Sequence, residues 1–211
     1  MSMVLILFAT AGLHGQADKN AISSYHLSGN SEMWLEGSAN VTDYSCDIQE
    51  MNASIKVGNI NSNKMDSVRS RQINAGLKVK VDQIDCGKKK MNSDMKEALK
   101  ADQYPFIRFE LKDAKRTESV QMAQISQNPS LNWFDIEVTG DMTIGGETRT
   151  ITFQSEGRPV GDNRFRVRGE KRINMKDFDV TPPTAMFGLI KAEKWLTVHF
   201  DFTVGPDAEP S

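Results

Sequence analysis

With 38% hydrophobic and 26% charged residues in 211, the chain has apolar material for a core and too little net charge to stay unfolded. Its 26 Lys and Arg nearly balance 28 Asp and Glu, and a formal charge of −2 provides no field to gather nucleic acid or anionic lipid. Barrels of this size commonly form a single domain.

The chain opens on an apolar run, Val4 to Leu13, followed by His14, Gly15, Gln16 and Ala17. Gly15 and Ala17 give the small-x-small pattern of a signal-peptidase site, so we expect a leader of residues 1–17, cleavage after Ala17 and a mature domain of residues 18–211. The run is about half of what a bilayer crossing needs, so no membrane span is expected, and a buried N-terminal strand is the other reading. No Lys or Arg precedes the run, which departs from the usual leader. No cysteine lies near the cleavage site to take a lipid anchor, and a soluble mature protein is expected.

From Met33 onward, period-two alternation marks strands with one buried face. Cys46 and Ile48 change phase to Ala53, Ile55 and Val57, which predicts a bulge near Gln49 to Asn52. Leu77, Val79 and Val81 alternate with Lys78 and Lys80. In an oxidising compartment Cys46 and Cys86 are more often a disulfide than a reactive pair, and we expect them bridged. Zinc binding is the sharper alternative, but His14, His26 and His199 are scattered; two unpaired thiols are the blander one.

Met91, Met95, Ala98 and Leu99 fall at helical spacing, which predicts one amphipathic helix over Met91 to Ala101, with Asn92 or Ser93 as N-cap and Tyr104-Pro105 as its end. Ile107, Phe109 and Leu111 then alternate with Arg108 and Glu110, and a long polar loop is expected from Lys115 to Leu131. Ile136, Val138, Met142 and Ile144 share one parity before Gly145-Gly146, a hairpin dipeptide, and Ile151 and Phe153 resume beyond it.

Phe165, Val167 and Ile173 face away from Arg164, Arg166, Arg168 and Arg172, a row read as solvent-facing. Lys171 shares the inward parity, where a charge is costly unless paired or solvated. It is a candidate contact for a diphosphate or quinone oxygen, although a register shift that turns it outward is the preferred reading. A second long loop is expected from Asp177 to Lys191, then a last strand with Leu196, Val198, Phe200, Phe202 and Val204, and a disordered tail from Gly205.

About eight one-sided strands joined mostly by short turns fit an all-β, antiparallel up-and-down barrel with one short helix better than a sandwich. Such an interior is wide enough either to be packed solid or to hold one small ligand.

Met91 to Leu99 running on through Tyr104 to Phe109, Thr139 to Gly146, and Met175 to Pro183 leading into Phe187-Gly188 and Ile190-Lys191 together resemble the YceI-like polyisoprenoid-binding proteins, exported bacterial proteins with an extended lipocalin-like barrel. Met91 to Leu99, continuing through Tyr104-Pro105-Phe106-Ile107-Arg108-Phe109, is similar to that family's helix and "YPxIxF" strand. Thr139 to Gly146 is similar to its "GxLTIxGxT" hairpin, and Met175 to Pro183, leading into Phe187-Gly188 and Ile190-Lys191, to its "DFGIxPPxAxFGxIK" loop. Gly37 to Tyr44 departs from the related "GTSNVHDW", with Thr42 and Tyr44 where histidine and tryptophan stand, and leaves the head group open.

The resemblance implies a periplasmic or secreted bacterial protein that binds a long isoprenoid chain, such as a quinone or polyprenyl tail, with no other cofactor. Affinity for such a hydrocarbon would come from area removed from water. Ile107, Phe109, Leu111, Val138, Met142, Phe165, Val167, Val198 and Phe200 supply an inward apolar wall, although each reads equally well as ordinary barrel core. Met186 and Phe187 are better ligand candidates, since no strand face explains apolar residues in a loop with proline and glycine, and we expect them at the barrel mouth.

Two other readings stand beside the carrier. An exposed rim with Met186, Phe187 and Trp195 on a solid core would make a protein-interaction module. Hydrolysis is remote: Asp177 and Asp179 form a carboxylate pair better read as solvated or capping, and no Ser/His/Asp set, phosphate loop or metal cluster is evident. Oligomeric state, a dimer included, stays open.

Overall fold

The structure is a computed structural model and describes residues 23–57, 73–117, 133–161, 163–185 and 190–206. Its strands are β1 (Ser23–Leu27), β2 (Glu32–Ala39), β3 (Asp43–Ile48), β4 (Met51–Val57), β5 (Ile73–Lys80), β6 (Ile84–Asp85), β7 (Phe106–Thr117), β8 (Phe134–Ile144), β9 (Glu147–Pro159), β10 (Phe165–Asn174), β11 (Thr184–Ala185) and β12 (Ile190–Pro206). Among the described residues one α-helix, α1 (Lys89–Ala98), joins them.

All pairings are antiparallel, and they run β1-β4-β5-β7-β8-β9-β10-β12. β12 then returns to β1, with Val204 opposite Leu27 and Pro206 opposite Tyr25, which closes an eight-stranded barrel. Closure pairs every strand of this ring on both sides for at least part of its length, which leaves little sheet edge exposed. Beyond the ring, β12 pairs β2, β2 pairs β3 and β3 pairs β6, so β1/β2, β4/β3 and β5/β6 are three wall lines interrupted side by side.

These interruptions correct the expected bulge. The phase change falls where β3 stops at Ile48 and β4 starts at Met51, and between them the Gln49 N–H donates to the Gln83 carbonyl at 2.8 Å. Register irregularities occur instead between Leu111 and Asp113 of β7 and between Ala192 and Leu196 of β12.

Cys46 and Cys86 are disulfide-bonded and buried, so β3 is tied to the segment that enters α1. The helix begins at Lys89, not at the expected cap. The Asn92 side chain instead accepts from the Cys86 N–H at 2.8 Å and donates to Asp85 Oδ1 at 2.9 Å, which fixes the turn before the helix. It ends at Ala98, with Lys100 in left-handed backbone at φ 54.

Both expected long loops are partly strand. β7 runs to Thr117, and β11 pairs with Ile190 and Lys191 of β12; residues 118–131, Met186 and Phe187 lie outside the described residues. Gly205 is buried in β12 opposite His26, so the ordered chain extends past the expected start of the tail.

The main core lies at the end of the barrel where α1 sits. Leu35, Val79, Val81, Ile84, Ile144 and Ile173 from the wall pack there with Met95 and Leu99. A 3₁₀ turn over Met175–Phe178 adds Met175 and Phe178, and Val180 follows it into the same cluster.

Candidate functional site

A cavity of about 70 Å³ lies inside this helix end, and its accessible lining is wholly apolar. Met33, Leu35, Val79, Met142, Ile173 and Val198 are among its wall residues, while Met95, Leu99, Met175, Phe178 and Val180 cover it. The lid reaches the wall because the β8–β9 hairpin tip lies against it. A Cβ added at Gly145 would meet the Leu99 carbonyl at 3.6 Å and the Val180 side chain at 3.7 Å. At Gly146 (φ 90), it would collide with the Tyr104 ring at 2.5 Å. The helix and "YPxIxF" stretch, the hairpin and the segment after Met175 therefore converge on one end of the barrel.

Of the wall residues expected from sequence, Ile107, Met142 and Val198 line this cavity. Phe109, Leu111, Val138, Phe165, Val167 and Phe200 do not. The aromatic members of that set form ring contacts with other phenylalanines elsewhere in the barrel. Phe109 meets Phe153 at 6.0 Å, Phe153 meets Phe200 at 5.9 Å, Phe200 meets Phe202 at 5.2 Å and Phe134 meets Phe165 at 5.6 Å between ring centroids. The Phe109 ring lies flat enough over β8 that a Cβ at Gly140 would come within 2.4 Å of it.

Sequence reasoning missed most of the lid. Met95 and Leu99 stood on the apolar face of the predicted helix, but that face could not be aimed at a cavity before the tertiary arrangement was known. Met175, Phe178 and Val180 sat in a segment read as loop. Parity had already marked Val79 as inward.

Lys171 corrects the preferred register-shift reading. It lies opposite Val198 of β12 and two residues before buried Ile173, on the inner parity, and its Nζ donates to the Thr152 carbonyl at 2.9 Å. The arginine row does face out: Arg166 donates to Asp201 at 2.7 Å, Arg168 to Glu156 at 2.8 Å, and Arg172 lies 4.7 Å over the Trp195 ring. Trp34 is likewise stacked on His199 at 4.9 Å on the outer wall.

The Tyr44 hydroxyl is buried with no hydrogen-bond partner, and burial pushes its pKa up. Asp177 accepts from the Asn174 side chain at 3.1 Å, a contact within the turn that follows β10. Among the described residues no group of three or more His, Cys, Asp or Glu side chains is placed to hold a metal ion.

A family model described as the YceI-like domain matches residues 21–204. The chain belongs to the YceI-like family. Among curated proteins no sequence matches this YceI-like chain significantly. Its fold is similar to that of Burkholderia cenocepacia BcnA at 16% identity and TM-score 0.58, over 82% of this chain and 95% of the other. It is also similar to a polyisoprenoid binding domain from Saccharophagus degradans, at 12% identity and TM-score 0.59 over 87% and 99%. The Campylobacter jejuni YceI protein matches at 13% identity and TM-score 0.51, over 78% and 85%. At these identities the likeness shows the fold.

Proposed function

We propose that this YceI-like chain is an exported carrier or sequestering protein, not an enzyme, that takes a long apolar isoprenoid-type lipid into its barrel. The observation that carries the reading is a closed barrel with a wholly apolar cavity under a lid. Family membership and the Saccharophagus domain, described as polyisoprenoid binding, support it.

Volume sets a condition on the mechanism. Small-molecule pockets usually hold about 300 Å³ or more, and this cavity holds about 70 Å³. A chain therefore enters only as wall and lid side chains move apart. Met33, Met95, Met142 and Met175 line the cavity, and unbranched thioethers repack around an irregular guest more readily than branched side chains. Each 100 Å² of tail removed from water would contribute about 2.5 kcal/mol before ordering costs.

Export is part of the proposal, with residues 1–17 as leader and residues 18–211 as the mature domain. The disulfide fits an oxidising periplasmic or extracellular compartment. No helix among the described residues is long and apolar enough to cross a membrane.

The small cavity and the ring contacts in the rest of the barrel favour a second reading, a packed protein-interaction module. Titration of delipidated protein with isoprenoid alcohols of increasing length separates the two. The carrier should bind saturably and more tightly as the chain lengthens, with a matching rise in thermal stability. Absence of saturable binding at every length leaves the interaction module in its place.

A further inference from the structure

The barrel wall is split along part of one seam. β9 pairs with β10 only from Ser155 opposite Gly169 to Pro159 opposite Phe165. Past that point Glu170 to Asn174 pair with β12 alone, and the β9 backbone from Glu147 to Gln154 has no ladder partner on its β10 side. In place of a strand N–H, the Lys171 ammonium supplies the donor to the Thr152 carbonyl, at 2.9 Å.

Solvent reaches the inner face here. Glu147 and Arg149 lie opposite Ile144 and Met142 on the parity that is buried in β8, where those two are 8% and 9% exposed. The Glu147 and Arg149 side chains are nevertheless 40% and 46% exposed. On the other lip, Lys171 is half-buried and next to it on the same face is Ile173, a wall residue of the apolar cavity. Inner-face charges thus border the split on both sides, and apolar lining begins directly behind them.

We propose that this split is the mouth of the cavity, where Arg149 and Lys171 hold the anionic head group, phosphate or carboxylate, of an amphiphile whose tail enters past Ile173. The proposal rests on the carrier reading and specifies the ligand class. Arg149 stands about 10 Å along β9 from Thr152 at the usual strand rise, so two long side chains can converge on one multivalent anion. Arg149 is engaged by Glu147 and the Thr148 carbonyl, and Lys171 by the Thr152 carbonyl. An anion would replace these with charge-assisted hydrogen bonds, which are stronger than a bond to a neutral carbonyl.

The test compares two probes with one tail, geranylgeranyl diphosphate and geranylgeraniol, on the delipidated disulfide-bonded protein. Wild type should bind the diphosphate about tenfold more tightly, the scale of one or two exposed charge-assisted contacts. Lys171→Met and Arg149→Met should each reduce that preference while leaving affinity for the alcohol in place, and Lys171→Arg should retain it. Arg108→Met, which removes a charge from the outer wall, should not change it. Inorganic diphosphate alone should not displace the alcohol. Equal binding of the two probes by wild type, or a preference that survives both methionine variants or falls equally in Arg108→Met, overturns the head-group site and leaves the carrier standing. Failure of both probes to bind overturns the carrier reading and this site with it.

Discussion

The two halves of the barrel obey the same inward parity and are filled by different chemistry. At the helix end, aliphatic and methionine side chains from the wall meet a lid of α1 and the Met175–Val180 segment, and a cavity remains. In the other half, Phe109, Phe153, Phe200 and Phe202 stack edge to face or tilted across the interior, and Phe134 meets Phe165 below them. Rings with fixed geometry close space efficiently; flexible thioethers leave it adjustable. On the proposed carrier reading, one half would serve as a floor and the other as a compartment whose volume can change.

The disulfide is the strongest single restraint on the adjustable half. It closes a sequence separation of 40 and fastens β3 to the start of α1, so replacing both cysteines by serine should cost about 4 kcal/mol on the chain-entropy account. Denaturant unfolding checks the size. Mass measurement of natively exported protein with and without reductant checks that the bridge forms, and two alkylatable thiols without reductant would rule it out.

Breaking the floor comes next. Phe153→Ala removes the ring that joins Phe109 to Phe200 and should cost about 3 kcal/mol, the low end for Phe truncation because Phe153 is only partly buried. Binding of short isoprenoid alcohols should be spared, since Phe153 is not a lining residue. In the compartment, Met95→Ala should cost about 2 kcal/mol and admit longer chains. Met142→Trp should instead reduce binding of every chain, with about 1 to 3 kcal/mol of overpacking strain. If Phe153→Ala abolishes chain binding while Met142→Trp spares it, the assignment of floor and compartment is reversed.

The barrel itself was legible because strand parity depends only on local alternation. Val79, Ile107, Val138 and Met142 all face inward as that alternation requires. What alternation cannot say is how deep along the axis a residue lies, and depth separates Ile107 at the cavity from Phe109 in the ring stack. Gly140 carried a signal, since an inward glycine on a strand leaves room for a facing ring, here that of Phe109. The split at β9–β10 left only an indirect trace in the sequence: Glu147, Arg149 and Lys171 are charges at inward positions, but alternation cannot say whether two strands pair, and the β8–β9 hairpin tip lies against Leu99, Tyr104 and Val180, which are remote in sequence. For Lys171, burial cost argued for turning the side chain outward, whereas the open seam supplies both a carbonyl partner and solvent.

The smallest expected effect concerns how the lid is held to the wall. Asp82, in the 3₁₀ turn Val81–Gln83 between β5 and β6, accepts from Lys96 of α1 at 3.0 Å and lies 3.5 Å from Lys80. The Lys96 hydrogen bond, opposed by desolvation and helped by the charges of Lys96 and Lys80 and by a Lys80 hydrogen bond, holds the Asp82 carboxyl below the ordinary carboxylate range. A carboxylate with a lowered folded-state pKa adds stability that is complete above its unfolded pKa, about 3.9, and disappears as pH falls through the lower folded value. Both partners are nearly half exposed, so the contribution should stay under about 1 kcal/mol. Asp85 is also lowered, by the Asn92 side chain and the Gly87 N–H, and titrates in the same window, so the wild-type acid curve alone cannot assign the effect. Asp82→Asn isolates it: the stability gap between wild type and variant should be constant from pH 7 to pH 5 and close as pH falls below about 4. A gap that persists undiminished at pH 2.5 would mean that Asp82 holds α1 by shape and neutral hydrogen bonding, with no role for its charge.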